Sequence, residues 1–201
     1  MNASHGPAEG SDMLARILAE ASRLFVARGY RGISMREIAE AVGISKAGLY
    51  YHFRDKEELF LAILTANLDM VAQIVRDACR QDASTRARMA QMLRALLALP
   101  ADQRALIRLA NQEMVHMSAE ARASFEATYH LKFLGQIEEL LQTGIARGEL
   151  RPVNVQLATW LLLGMAYPFF SPAHPAAAMD EVVDLIIAVF FDGLGCEVKR
   201  A

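Results

Sequence analysis

Hydroxyl, cationic and aromatic side chains crowd one short stretch of the chain: Ser45, Lys46, Tyr50, Tyr51, His52 and Lys56, with Ser34 and Arg36 just upstream. Such groups hold phosphate oxygens through N–H and O–H donors and touch base edges or a thymine methyl. Gly48 sits among them. A glycine inside a helix costs about 1 kcal/mol against alanine, and close approach to a phosphate backbone would justify it. No nucleophile elbow, phosphate-cradling glycine loop or Cys–His pairing accompanies the set. The chemistry on offer is recognition, not bond making.

Two short helices must position these groups. In the first, Ile38, Ala39 and Val42 form one apolar stripe, Ser34 is placed to cap it, and Glu37 completes a capping box. Gly43 supplies the left-handed residue that ends it, Ile44 packs back under the turn, and Ser45 caps the second helix. That helix turns Lys46, Gly48, Tyr50, Tyr51 and His52 outward and leaves Ala47, Leu49 and Phe53 to pack. It lacks a Glu at its third position, so its N-terminal N–H groups stay available to a phosphate. The pattern is a helix-turn-helix whose second helix can enter a major groove. A core helical hairpin with exposed tyrosines fits the turn pattern as well.

The run from Gly43 to Leu59, GISKAGLYYHFRDKEEL, resembles the DNA-binding signature of the TetR family of transcriptional regulators. Phe25, Gly29, Tyr30, Ser34, Arg36, Ile38 and Ala39 fit the upstream part of the same signature. The likeness covers roughly residues 13–62. It implies a three-helix DNA-binding head on a larger helical body that binds a small effector and dimerises through its last two helices. It also marks Tyr51 and Lys56 as phosphate contacts and favours repression over activation.

Composition agrees with a specific rather than a loose DNA contact. The 201 residues carry a formal net charge of −2. Between Arg28 and Lys56, six basic residues face three acids, Glu37, Glu40 and Asp55, so a local positive patch sits on an acidic chain. Cys79 and Cys196 lie far apart without metal-ligand spacing, so reduced thiols are expected, with no metal and no cofactor. The first residues, MNASHGPAEGSD, lack the apolar core of a signal peptide. The longest apolar run, Leu157 to Phe170, is 14 residues, short of the roughly 20 a membrane span needs. A cytoplasmic location is expected, with no membrane partner.

Further along, the helical period persists and no segment alternates with period two, so the fold class is all-α, about nine helices. Residues 1–11 read as a disordered tail, 12–56 as the DNA-binding domain, and 57–201 as the effector-binding and dimerisation domain. Helix one spans about 12–28. A long helix capped by Asp55 and Glu58 runs to about Cys79, and others cover about 84–98, 102–116, 119–147, 153–170 and 177–194. The last two are apolar nearly all round and so need burial on every side, which a second subunit can supply. A homodimer on a two-fold DNA operator follows.

For the effector, candidate lining residues are Met114, His116, Met117, Phe125, Tyr129, His130, Phe133, Trp160, Met165, Tyr167 and Phe169. They suit an apolar or aromatic molecule, an acyl chain among them. Each is also the kind of residue that fills a core. Two rivals belong to other classes. Glu113-x-x-His116 has the spacing of half a di-metal site, although only one such pair exists. A helical ligand-binding protein without specific DNA binding is the other. The reading preferred here is a regulator and not an enzyme.

Overall fold

The computed structural model describes residues 7–171 and 179–192, with side chains from Asp12 onward. Residues 1–6 of the expected tail, the break after Ser171, both ends of the expected helix 177–194 and Cys196 lie outside them. Among the described residues there are nine helical runs and no strand. They comprise α1 (Pro7–Arg28), α2 (Met35–Val42), α3 (Lys46–His52), α4 (Lys56–Cys79), α5 (Thr85–Leu97), α6 (Ala101–Glu113), a run of α7 (Ala119–Tyr129) and α8 (Gly135–Ala146), α9 (Val155–Ala166) and α10 (Met179–Asp192).

Three boundaries differ from expectation for local reasons. Helix α1 opens at Pro7 rather than Asp12, with proline at a first position whose N–H would be unbonded anyway. The expected helix 119–147 contains a π-helical turn, His130–Leu134, where Gly135 N–H bonds to His130 O. A Cβ at residue 135 would come within 3.2 Å of that same carbonyl, so the glycine permits the wider turn. The expected helix 153–170 stops at Ala166 and continues as a 3₁₀ turn, Tyr167–Phe170, because Pro168 has no N–H to give an α-helical bond.

The chain forms two compact units. The first comprises the described residues up to Asn67 together with Ala105–Glu126; the second comprises Leu68–Arg104 and the described residues from Ala127 on. In the first, Ile17, Phe25, Ile38, Leu49, Leu59 and Phe60 are fully buried, and Leu106, Leu109, Met117 and Ala121 join the same core. Phe25, Tyr30 and Phe60 pack with ring centroids 5.0–5.8 Å apart. Glu57 fastens the later segment by accepting from Ser118 N at 2.9 Å and Ser118 Oγ at 2.7 Å. Ser118 Oγ in turn accepts from Ala121 N in the first turn of α7.

In the second unit, α5, α8, α9 and α10 bury Met89, Met92, Leu93, Ile137, Leu141, Leu162 and Val183. Arg86 grips both oxygens of Asp192 at 2.7 and 2.6 Å. Apolar side chains of α9 and α10 are left uncovered in the single chain. Leu157, Trp160 and Leu161 of α9 and Leu185 of α10 are each more than half exposed. Helix α4, 24 residues long, is apolar enough by length and composition to cross a membrane, yet Leu59, Phe60, Leu64, Leu68, Val71 and Val75 along it are buried in the two cores.

Candidate nucleic-acid interface

Each cap of the helix-turn-helix is realised. Ser34 N donates to Glu37 Oε2 at 2.8 Å and Ser34 Oγ accepts from Glu37 N at 3.3 Å. The Ser34 hydroxyl also donates to Glu37 Oε2 at 2.7 Å. That bond, then the Ser34 amide and Arg28, hold the Glu37 carboxyl down at about 2. Gly43 takes φ 80°, and its N–H and that of Ile44 both return to Ala39 O, which closes the helix as a left-handed cap does. Ser45 Oγ accepts from Gly48 N at 3.0 Å, leaving its own hydroxyl proton to donate elsewhere.

Helix α3 then sorts its residues by depth. Leu49 and Phe53 are buried, while Lys46, Tyr50 and Tyr51 are exposed, Tyr51 at 88%. Ala47, expected to pack, is exposed as well, because it sits in the first turn on the side away from Leu49. Lys46 Nζ lies 5.6 Å from the Tyr50 ring centroid, and His52 packs edge-on to Tyr51 at 5.4 Å. Gly48 has a local reason besides any phosphate: a Cβ there would stand 3.3 Å from Ser45 Oγ and crowd the cap.

A groove of about 580 Å³ gathers Ser34, Arg36, Lys46, Tyr50 and Lys56, with Arg31 and Glu37 beside them. Ser45, Gly48, Tyr51 and His52 are outside its lining. Arg31, a member of the positive patch, is exposed and reaches His116 Nδ1 at 3.4 Å. Several cations are already partnered: Arg28 with Glu37 at 2.9 Å and Arg36 with Glu40 at 3.5 Å. Among the described residues Lys46 has no carboxylate within 4 Å.

Lys56, also expected at a phosphate, is held from within the first unit. Its ammonium donates to Tyr30 O and Ile33 O, both at 2.9 Å, and lies 4.5 Å from the Tyr30 ring centroid. Two of its three N–H donors are spent inside the first unit, on the loop that leads into α2. Burial lowers its pKa. Asp55 Oδ1 caps α4 by accepting from Glu58 N, and Glu58 reaches back to Arg54 N, one residue beyond the cap.

The expected effector-lining residues divide between the two units. Met117 is 5% exposed and belongs to the core of the first unit, with Met114 and Phe125 packed against it. His116 faces Arg31 in that same unit. In the second unit, Tyr129 packs on buried Phe133 at 5.3 Å, and burial pushes the Tyr129 phenol up to about 12. His130 is exposed and 3.5 Å from Glu138, Phe169 is half-buried, and Trp160 is 56% exposed on α9. Helical spacing alone cannot separate a core face from a cavity face. Among the described residues, no three His, Cys, Asp or Glu side chains gather as metal ligands.

Comparison with known proteins gives this arrangement a lineage. Residues 17–63 match the model for bacterial regulatory proteins of the tetR family, and residues 82–168 match a tetracyclin repressor-like C-terminal domain. The transcriptional regulator RutR of Escherichia coli K12 is 30% identical over 187 residues, 92% of this chain and 85% of RutR. The transcriptional repressor KstR2 of Rhodococcus jostii is 25% identical over 177 residues, 87% of each chain. Other curated relatives match over 61 to 74 residues, about a third of their own length. The crystal structure of AibR with isovaleryl coenzyme A and operator DNA is 27% identical, covers 89% of this chain and 98% of that one, and superposes with a TM-score of 0.74. The chain belongs to the TetR family of bacterial regulatory proteins.

Proposed function

We propose that this chain is a ligand-responsive transcriptional repressor, not an enzyme, that binds a two-fold DNA operator as a homodimer in the cytoplasm and leaves it when a small effector binds. The observation that carries the reading is the sorting of α3. Leu49 and Phe53 anchor it, while Lys46, Tyr50 and Tyr51 stand free beside a groove rich in cations. Such a helix offers base-reading and phosphate-holding groups on one face. The uncovered apolar residues Leu157, Trp160, Leu161 and Leu185 supply a self-complementary surface for the second copy.

Repression is supported by KstR2, a named repressor aligned over most of its length. For the effector, the bound isovaleryl coenzyme A of AibR supports an acyl thioester. Release then requires the effector to bind the DNA-competent and DNA-incompetent states with different affinity. A titration of the purified protein on the DNA upstream of its own coding sequence, with excess unrelated carrier DNA, tests the reading. Saturation at two protomers per half-site pair, reversed by a short acyl coenzyme A, is expected. Binding that disappears with carrier would leave only a non-specific basic patch.

A further inference from the structure

A second concentration of positive charge lies far along the sequence from α3, within the second unit. A cleft of about 390 Å³ is lined by Arg76 and Cys79 from the last turn of α4, Arg80 just after it, Arg88 from α5, and Gln136, Glu139, Leu140 and Thr143 from α8. Three guanidinium groups meet one carboxylate there, so the lining carries a surplus of two positive charges.

The least expected of the three is Arg88, only 7% exposed. Its Nε donates to Ala83 O at 2.8 Å and its Nη1 to Cys79 O at 3.4 Å. The first holds the loop before α5, and the second reaches the C-terminal turn of α4, where it offsets the partial negative charge of a terminal carbonyl. Among the described residues no carboxylate comes within 4 Å of it. Glu149, the acid that senses its charge, is held by Thr85 N at 2.5 Å.

Arg76 gives Nε and Nη2 to the neutral amide oxygen of Gln73. Among the described residues the carboxylate near Arg80 is that of Asp77, at 3.9 Å. A buried cation with no close counter-charge is costly, and guanidinium groups suit oxyanions, which accept their N–H donors in parallel.

We propose that this cleft binds a phosphate group, either free or carried on an organic molecule, with Arg76, Arg80 and Arg88 as its donors and Glu139 as the opposing charge. The Thr143 hydroxyl, which also lines the cleft, adds a fourth donor.

Cys79 reports on it. The thiol is half-buried in the lining, and burial raises its pKa, so a neutral alkylating reagent at mildly alkaline pH modifies it slowly enough to follow. Full-length protein is treated with iodoacetamide, and peptide mapping reads Cys79 apart from Cys196. The probes are inorganic phosphate and adenosine 3′,5′-bisphosphate, each against sodium chloride at equal ionic strength.

Both probes are expected to slow Cys79 modification where chloride does not. The bisphosphate acting at the lower concentration would mark an organic phosphate as the natural occupant, and phosphate acting as well as the bisphosphate would mark a free-anion site. Arg80→Ala removes a side chain that is 73% exposed and should leave folding intact. It is expected to raise the half-protecting concentration about tenfold, as the loss of one charge-assisted hydrogen bond does. Glu139→Gln should lower it about threefold, the size of a solvent-screened charge pair. Absence of protection by both probes, or protection that neither variant alters, would overturn the proposal.

Discussion

Lys56→Met separates two roles that sequence and structure assign differently to the same side chain. The ammonium makes two 2.9 Å bonds to the carbonyls of Tyr30 and Ile33 and lies 4.5 Å from the Tyr30 ring centroid. Hydrogen bonds to a charged group contribute about 1.5–3 kcal/mol each, and the ring about 0.5–1. Methionine keeps the apolar stem and gives back the cost of desolvating the ammonium, so a net loss of about 2 kcal/mol is expected. In a chain of this size that lowers the melting temperature by roughly 4–8 °C. The assay pairs thermal unfolding, followed by circular dichroism, with DNA titration across a range of salt at a temperature where both proteins are folded. Structural use of Lys56 predicts a lowered melting temperature and an unchanged salt slope. A melting temperature within 1 °C of the parent, with the slope reduced by about 0.9, would refute the structural assignment and restore Lys56 to the DNA. Tyr51→Ala is the internal control: at 88% exposure it should not move the melting temperature, while affinity for DNA falls.

Lys46→Ala should reduce the salt slope by about 0.9 without loss of stability, since Lys46 is exposed and has no carboxylate partner among the described residues; an unchanged slope counts against a phosphate contact. The Glu37 carboxyl, at about 2 in the folded chain against an ordinary 4.5, stabilises the fold above pH 4.5 and ceases to as pH falls toward 2. Urea midpoints measured through that window should drop less steeply in Glu37→Gln than in the parent. Leu161→Glu places a charge on the uncovered face of α9 and should shift sedimentation from dimer to monomer; a persistent dimer would move the interface elsewhere. Arg104 buries Nε and Nη1 without a hydrogen-bond partner among the described residues, so Arg104→Met should stabilise the free protein by about 1 kcal/mol in chemical unfolding, and destabilisation would mean those donors are satisfied.

What could be read in advance follows the range of the interactions. Ser34 with Glu37, Gly43, and Ser45 with Gly48 act over three to five residues, and each appears in the structure as the types and spacing require. The structural partners of Lys56 lie 23 and 26 residues away, and nothing in the local pattern names them. The domain division at residue 56 overlooked Leu106, Leu109 and Met117 for the same reason: they carry an ordinary helical period and only the packed core shows which unit they fill. Met117 was placed with the effector because a buried methionine and a pocket methionine look alike in one dimension. The π-helical turn at His130–Leu134 is likewise silent in a periodicity argument. It inserts one residue per turn, so stripes drawn through Tyr129 and onward into α8 drift from the true faces.

The partition of the core has a consequence for building hybrid regulators. The chain passes from one unit to the other inside α4, α6 and α7, never in a loop. An exchange of DNA specificity that grafts residues 1–67 onto another family member would strand Phe25, Leu59 and Phe60 without Leu106, Leu109 and Met117, and would leave Glu57 without Ser118. A workable graft carries residues 105–126 as well, a two-piece transplant. Divergence between family members in that second piece therefore sets which reading heads a given body accepts.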